Sequence, residues 1–159
     1  MSSLADDTRW LDATAQAELV TSGKVTPLEM VDAAIERVER FDGALNALTY
    51  RWFDAARQLA SSSELPEGPF RGVPYLLKDL YAAEAGKPLS NGSKAYKAAD
   101  YVSTEDSTLV ARYKASGLIS IGRSNSPEFG SVPVTEPEAW GPTRNPWDLS
   151  RTPGGSSGG

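Results

Sequence analysis

Hydrophobic and polar positions in the first third of the chain follow a helical period. Leu28, Val31, Ala34, Ile35, Val38 and Phe41 recur at the spacing that puts side chains on one helix face. Thr26-Pro27-Leu28-Glu29 stands at the start of that stripe. A hydroxyl at the N-cap, a proline at the first helical position and a glutamate three residues past the cap together make a capping box. Asp42-Gly43 is the predicted stop. A shorter helix is predicted over about residues 13–22, ended by Gly23, and a third over about residues 50–62. All three read as amphipathic helices whose acidic residues form a solvated face.

The pattern changes after Ser61-Ser62-Ser63. Gly68-Pro69-Phe70-Arg71-Gly72-Val73-Pro74 punctuates the chain, and residues 75–80 form a short apolar run broken by Lys78-Asp79. Its length and its Pro and Gly boundaries predict a buried strand. Asn91-Gly92 predicts a turn, residues 105–116 a helix ended by Gly117, and residues 118–121 a second strand. Strand, helix and strand in that order predict an α/β architecture.

Composition narrows the chemistry. The 159 residues contain no His and no Cys. A Ser-His-Asp or Cys-His arrangement, an HExxH zinc helix and a disulfide framework are therefore excluded within this chain. A catalyst built here must use Lys, Ser, Thr, Tyr or carboxylates. Net charge is −5, and neither half of the chain carries the Lys/Arg stripe that a phosphate backbone demands, so nucleic acid is not an expected partner. The opening MSSLADDTRW has neither the basic nor the apolar region of a signal peptide, and no apolar run approaches the roughly 20 residues needed to span a bilayer. A soluble, cytoplasmic protein without membrane partners is expected.

Residues 122–159 hold 7 of the 14 Gly and 6 of the 11 Pro, which marks them as mostly loop, where sites are commonly built. The terminal Gly154-Gly155-Ser156-Ser157-Gly158-Gly159 admits three readings. As composition it is a flexible Gly/Ser tail on a non-catalytic binding module. As G-x-S-x-G it matches the nucleophile elbow of α/β-hydrolases, but the preceding residues 147–153 are polar and end in Pro153, not in a buried strand. The third reading joins it to Gly72-Val73-Pro74-Tyr75-Leu76-Leu77-Lys78-Asp79, Gly122-Arg123-Ser124-Asn125-Ser126-Pro127-Glu128-Phe129-Gly130 and Gly141-Pro142-Thr143-Arg144-Asn145-Pro146-Trp147. In order and spacing these blocks resemble the N-terminal part of the amidase signature family. Residues 135–141 further resemble one branch of it, the 6-aminohexanoate cyclic-dimer hydrolase-like amidases.

That resemblance implies a fold and a site. The fold would be the N-terminal part of an α/β/α sandwich with a mixed central sheet, preceded by amphipathic helices. Residues 1–67 would be the helical region and 68–159 the start of the catalytic core of a single domain. Family members hydrolyse carboxamides with a Ser-Ser-Lys triad, in which a Lys and a serine preceded by a cis peptide relay a proton to and from a nucleophilic serine. By motif match Lys78 would be the Lys and Ser156 the bridging serine. Ser157 would be a supporting hydroxyl, Gly155 would precede the bridging serine, and Asn125 and Glu128 would line or brace the site. Glu128 also fits a helix start capped by Ser126, and Arg144 and Trp147 read as structural.

The chemistry suits these residue types. A lysine on a buried strand loses hydration as a cation, which lowers its pKa toward a neutral, proton-accepting amine. A serine hydroxyl donates and accepts at once. No cofactor or metal is implied, and the expected partner is a small-molecule amide, with a homodimer left open. In family members the nucleophilic serine and the oxyanion-binding backbone lie downstream of the Gly-Gly-Ser-Ser-Gly-Gly core. The chain is therefore expected to be an N-terminal fragment of an amidase, inactive by itself. An amidase-like subunit of a glutamine-dependent amidotransferase is the alternative within the family.

Overall fold

The computed structural model of the protein describes residues 3–159. In chain order the elements are α1 (Leu4–Asp7), α2 (Ala13–Thr21), α3 (Pro27–Leu45), β1 (Leu48–Arg51), α4 (Phe53–Ala60), β2 (Pro74–Lys78), α5 (Lys94–Ala98), α6 (Thr108–Ala115) and β3 (Ile119–Ser124), followed by a 3-10 turn over Glu128–Gly130. The strands make one sheet in the order β1-β3-β2. β1 runs antiparallel to β3 with Leu48 opposite Ser124 and Arg51 opposite Gly122. Between β2 and β3 the Ile119 N–H donates to the Val73 carbonyl at 2.9 Å and the Asp79 N–H to the Ser124 carbonyl at 3.0 Å. Both partners advance together along the chain, the sense of a parallel pair, so the sheet is mixed. Helices with a mixed sheet make the fold α/β, as the strand–helix–strand pattern predicts.

The chain forms two units. The first comprises the segment ending at Arg40 together with Trp52–Tyr75 and Ala111–Ile121. The start of α3 is held by its capping box: the Glu29 N–H donates to Thr26 Oγ1 at 3.2 Å, and the Thr26 N–H donates back to Glu29 Oε2 at 2.8 Å. Behind the cap, Met30, Val31, Ala34 and Ile35 are buried. Val20, Val25 and Met30 form a hydrophobic cluster on which Leu4 and Leu19 pack. Arg37 of α3 reaches α1 through Nη1, which donates to the Ala5 carbonyl and to Thr8 Oγ1, both at 2.9 Å. Asp32 accepts from Arg57 Nε of α4 at 2.7 Å.

The second unit comprises Phe41–Arg51, Leu76–Val110 and Gly122–Gly159. Its interior is polar. Thr8 apart, the buried polar side chains described all lie here, among them Asp79, Ser90, Arg123, Asn125, Thr135 and Thr143. Burying so many donors and acceptors is tolerable only when they bond one another, and it ties irregular loops to fixed positions.

Four local expectations differ from the structure, the first through a partner distant in sequence and the others through side chains that bond within a few residues. Tyr50 and Arg51 are strand rather than helix, since β1 pairs with β3, and the helix starts only at Phe53. α3 runs through Asp42 and Gly43 to Leu45. Asp42 supplies the stop from its side chain, accepting the Ala47 N–H at 2.6 Å and the Leu48 N–H at 3.2 Å, while Asn46 at φ +52° takes the left-handed position expected of a glycine. α6 begins at Thr108 rather than near residue 105, where Ser107 Oγ accepts the Val110 N–H at 3.3 Å. Ser126 caps no helix. It is fully buried and its hydroxyl donates to the Pro127 carbonyl at 3.1 Å.

Met30 is wholly buried against Val20 and Val25, so Met30→Ala should lower the unfolding free energy by about 2–5 kcal/mol. The expected outcome is a lower urea midpoint at an unchanged m-value.

Candidate active site

β2 carries Lys78 at its last position, and the strand end is gripped from two sides. Arg123, fully buried, donates from Nε to the Pro88 carbonyl at 2.6 Å and from Nη1 to the Lys78 carbonyl at 3.2 Å. Asp79, also fully buried, accepts the Ser90 N–H at 2.8 Å and the Ser90 hydroxyl. Ser90 Oγ in turn accepts from Trp140 Nε1 at 2.8 Å. Lys97 Nζ sits 3.6 Å from the centre of the Trp140 ring and donates to the Ala139 carbonyl at 2.6 Å. The backbone at residues 78–79 is thus fixed by charge-assisted bonds out of water, the stronger kind.

The second half of the site is the glycine-rich end of the chain. The Gly155–Ser156 peptide bond is cis. Lys78 Nζ donates to Ser156 Oγ at 2.8 Å, joining residues 78 positions apart. Lys78 is half-buried, and burial lowers its pKa from the ordinary lysine value. Ser156 is half-buried as well.

The other residues singled out in the sequence are placed differently. Gly155 is exposed and directly precedes Ser156, while Ser157 is exposed beside it. Asn125 is buried, and its side chain is engaged elsewhere: Nδ2 donates to Thr143 Oγ1 at 3.0 Å and to the Gly141 carbonyl at 3.2 Å, and Oδ1 accepts the Ser126 N–H at 2.9 Å. Its backbone carbonyl accepts the Gly159 N–H at 3.2 Å, so Asn125 braces the chain just beyond Ser156. Glu128 and Trp147 are exposed. Sequence reasoning gave no role to Arg123, Asp79 or Thr135. Thr135 is fully buried, and its hydroxyl donates to the Gly154 carbonyl at 2.9 Å. A hydrophilic residue at a buried position has no periodic signature, and its partner can be found only in three dimensions. Among the described residues no group of His, Cys, Asp and Glu side chains is arranged to hold a metal ion, and no helix is long and apolar enough to cross a membrane.

An amine of lowered basicity hydrogen-bonded to a serine hydroxyl is a pair between which a proton can pass without imidazole. The amidase family model matches residues 29–159, and the chain belongs to the amidase signature family. It is 47% identical over 150 residues to the 6-aminohexanoate-cyclic-dimer hydrolase of Paenarthrobacter ureafaciens, an alignment covering 94% of this chain and 30% of that one. Among solved structures, a 6-aminohexanoate cyclic dimer hydrolase complexed with substrate superposes with a TM-score of 0.87 at 46% identity, over 93% of this chain and 30% of the other. A bacterial aryl acylamidase of the amidase signature enzymes superposes with a TM-score of 0.86 at 37% identity, over 94% of this chain and 32% of the other. The chain thus spans about 30% of the length of the curated relatives it matches first.

The lowered basicity of Lys78 can be read directly. In a nitrogen or carbon NMR titration its amine should lose its proton below the ordinary lysine pKa of about 10.4. Ser156→Ala, which leaves the burial in place, should keep that value depressed. Titration of Lys78 at or above the ordinary value would contradict the desolvation argument.

Proposed function

We propose that this chain provides the lysine and the bridging serine of an amide hydrolase. The observation that carries the reading is the 2.8 Å contact between Lys78 Nζ and Ser156 Oγ, with Lys78 shifted toward its neutral form. Membership of the family and the likeness to two named amide-cleaving enzymes support it.

The proposed proton path runs through the Lys78–Ser156 contact. An attacking hydroxyl, supplied by the longer sequence that relatives carry, adds to the carboxamide carbon and passes its proton to Ser156 Oγ. Ser156 passes its own proton to the Lys78 amine. When the tetrahedral adduct collapses, the proton returns from the Lys78 ammonium through Ser156 to the leaving nitrogen, and ammonia or an amine departs. Water then cleaves the acyl ester by the same relay, releasing the carboxylate and restoring every group. A hydroxyl suits the middle position because it donates in one direction while accepting from the other. Lys78 suits the end because an amine of ordinary basicity would stay protonated near neutral pH and could not begin the cycle. The substrate class is a linear or cyclic carboxamide. The relay as read needs a nucleophilic hydroxyl in addition to Lys78 and Ser156, and the chain spans about 30% of the length of the relatives it matches first.

The test is a protein of the relatives' length that carries this chain, assayed on the 6-aminohexanoate cyclic dimer, a linear primary amide and an anilide. Hydrolysis of at least one is expected, and Lys78→Ala and Ser156→Ala should each lower kcat by about 10²–10⁴-fold. Because Lys78 must be neutral to start the cycle, kcat/KM should rise with pH through a group below the ordinary lysine pKa. Full activity in both variants would overturn the assignment.

A further inference from the structure

The segment bearing Ser156 poses a positioning problem. Gly154, Gly155, Gly158 and Gly159 surround the two serines, and glycine-rich chain has wide backbone freedom. A relay between Lys78 and Ser156 nevertheless needs the hydroxyl held to a fraction of an ångström, because proton transfer requires hydrogen-bond distance.

We propose that Thr135 is a positioning residue for Ser156, clamping the glycine-rich turn through the Gly154 carbonyl. The proposal rests on the amide-hydrolase reading above and adds to it a residue that touches neither the reacting atoms nor Lys78. Its buried hydroxyl donates to the Gly154 carbonyl at 2.9 Å, two residues before Ser156. The turn also closes tightly around it. A Cβ on Gly158 would come within 2.6 Å of Thr135 Cβ, and one on Gly155 would come within 3.0 Å of the Val134 N. Residues 134–135 therefore form the wall against which residues 154–158 are laid, and glycine at 158 is what permits the approach.

Thr135 is itself tied into the buried polar interior. Its carbonyl accepts the Thr143 N–H at 2.9 Å, Thr143 Oγ1 donates to the Asn46 carbonyl at 2.8 Å, and Asn125 Nδ2 donates to Thr143 Oγ1 at 3.0 Å. A β-branched side chain adds a restricted χ1, which narrows the directions open to its hydroxyl. The clamp thus transmits the rigidity of the buried polar interior to a segment that lacks any of its own.

Two substitutions separate the hydrogen bond from the packing. Thr135→Val keeps the shape and removes the donor, whereas Thr135→Ser keeps the donor and removes a methyl group. In crystals of the protein of the relatives' length, Thr135→Val should carry Ser156 Oγ out of hydrogen-bonding range of Lys78 Nζ, and Thr135→Ser should retain the contact. On whichever amide is turned over, Thr135→Val should lower kcat by about 10- to 100-fold with KM changed less than about twofold, and Thr135→Ser should stay within about threefold of the parent. An unchanged Lys78–Ser156 contact in the Val variant would overturn the proposal, as would an unchanged kcat. If Thr135→Val fails to fold, Thr135→Ala carries the same expectations. Lys78→Ala and Ser156→Ala are measured alongside: should these keep full activity, the relay reading fails on its own account, and the crystallographic contact still decides whether Thr135 positions Ser156.

Discussion

One hydrogen bond, from Lys78 to Ser156, is the point on which the second unit converges. Its two ends come from regions with opposite mechanical character: a strand terminus and a run of glycines. Neither end is held by apolar packing alone. Arg123 and Asp79 fix the strand terminus, and Thr135 and Asn125 fix the glycine run, each through bonds to backbone atoms. This explains why the interior here is polar when the first unit has an ordinary aliphatic core. Hydrophobic burial is non-directional and cannot set a hydroxyl within hydrogen-bond range of an amine, whereas buried hydrogen bonds are directional and costly to leave unmade.

The same partial burial lowers the basicity of Lys78, on which the proposed relay depends. Lys78 sits far enough out of water to lose basicity, yet its strand-end position leaves the ammonium form accessible. A base that never charged could not return a proton to a leaving amine, and one that never discharged could not accept a proton. With no histidine in the chain, a lysine of lowered basicity is the group that the proposed relay uses in both states.

Much of this was legible in the sequence where the signal is local. The start of α3 is plain from Thr26-Pro27-Leu28-Glu29 and the end of α2 from Gly23, which has φ +70°; the helical period finds the buried Val31, Ala34 and Ile35 but leaves out the buried Met30 and Ala33 and includes Phe41, which is exposed. β1 was not legible, because Tyr50 and Arg51 are strand residues only by virtue of β3, some seventy positions later. The end of α3 differs for a local reason: the Asp42 carboxylate reaches forward to the Ala47 and Leu48 N–H groups and stops the helix in place of Gly43. At the site, Lys78 and Ser156 were named from a resemblance carried by ordered motifs, and no periodicity in the residues would have found them. Thr135 and Arg123 could not be read from the sequence, because a polar side chain acquires its role from the carbonyl it meets.

The central claim, that Lys78 acts as the amine of the relay, is tested most directly by chemical rescue. In the Lys78→Ala variant of the protein of the relatives' length, added ethylamine or propylamine should restore amide hydrolysis in proportion to the free-base concentration, and tetramethylammonium should restore none. Equal rescue by both kinds of cation, or a variant that needs no rescue, would contradict it.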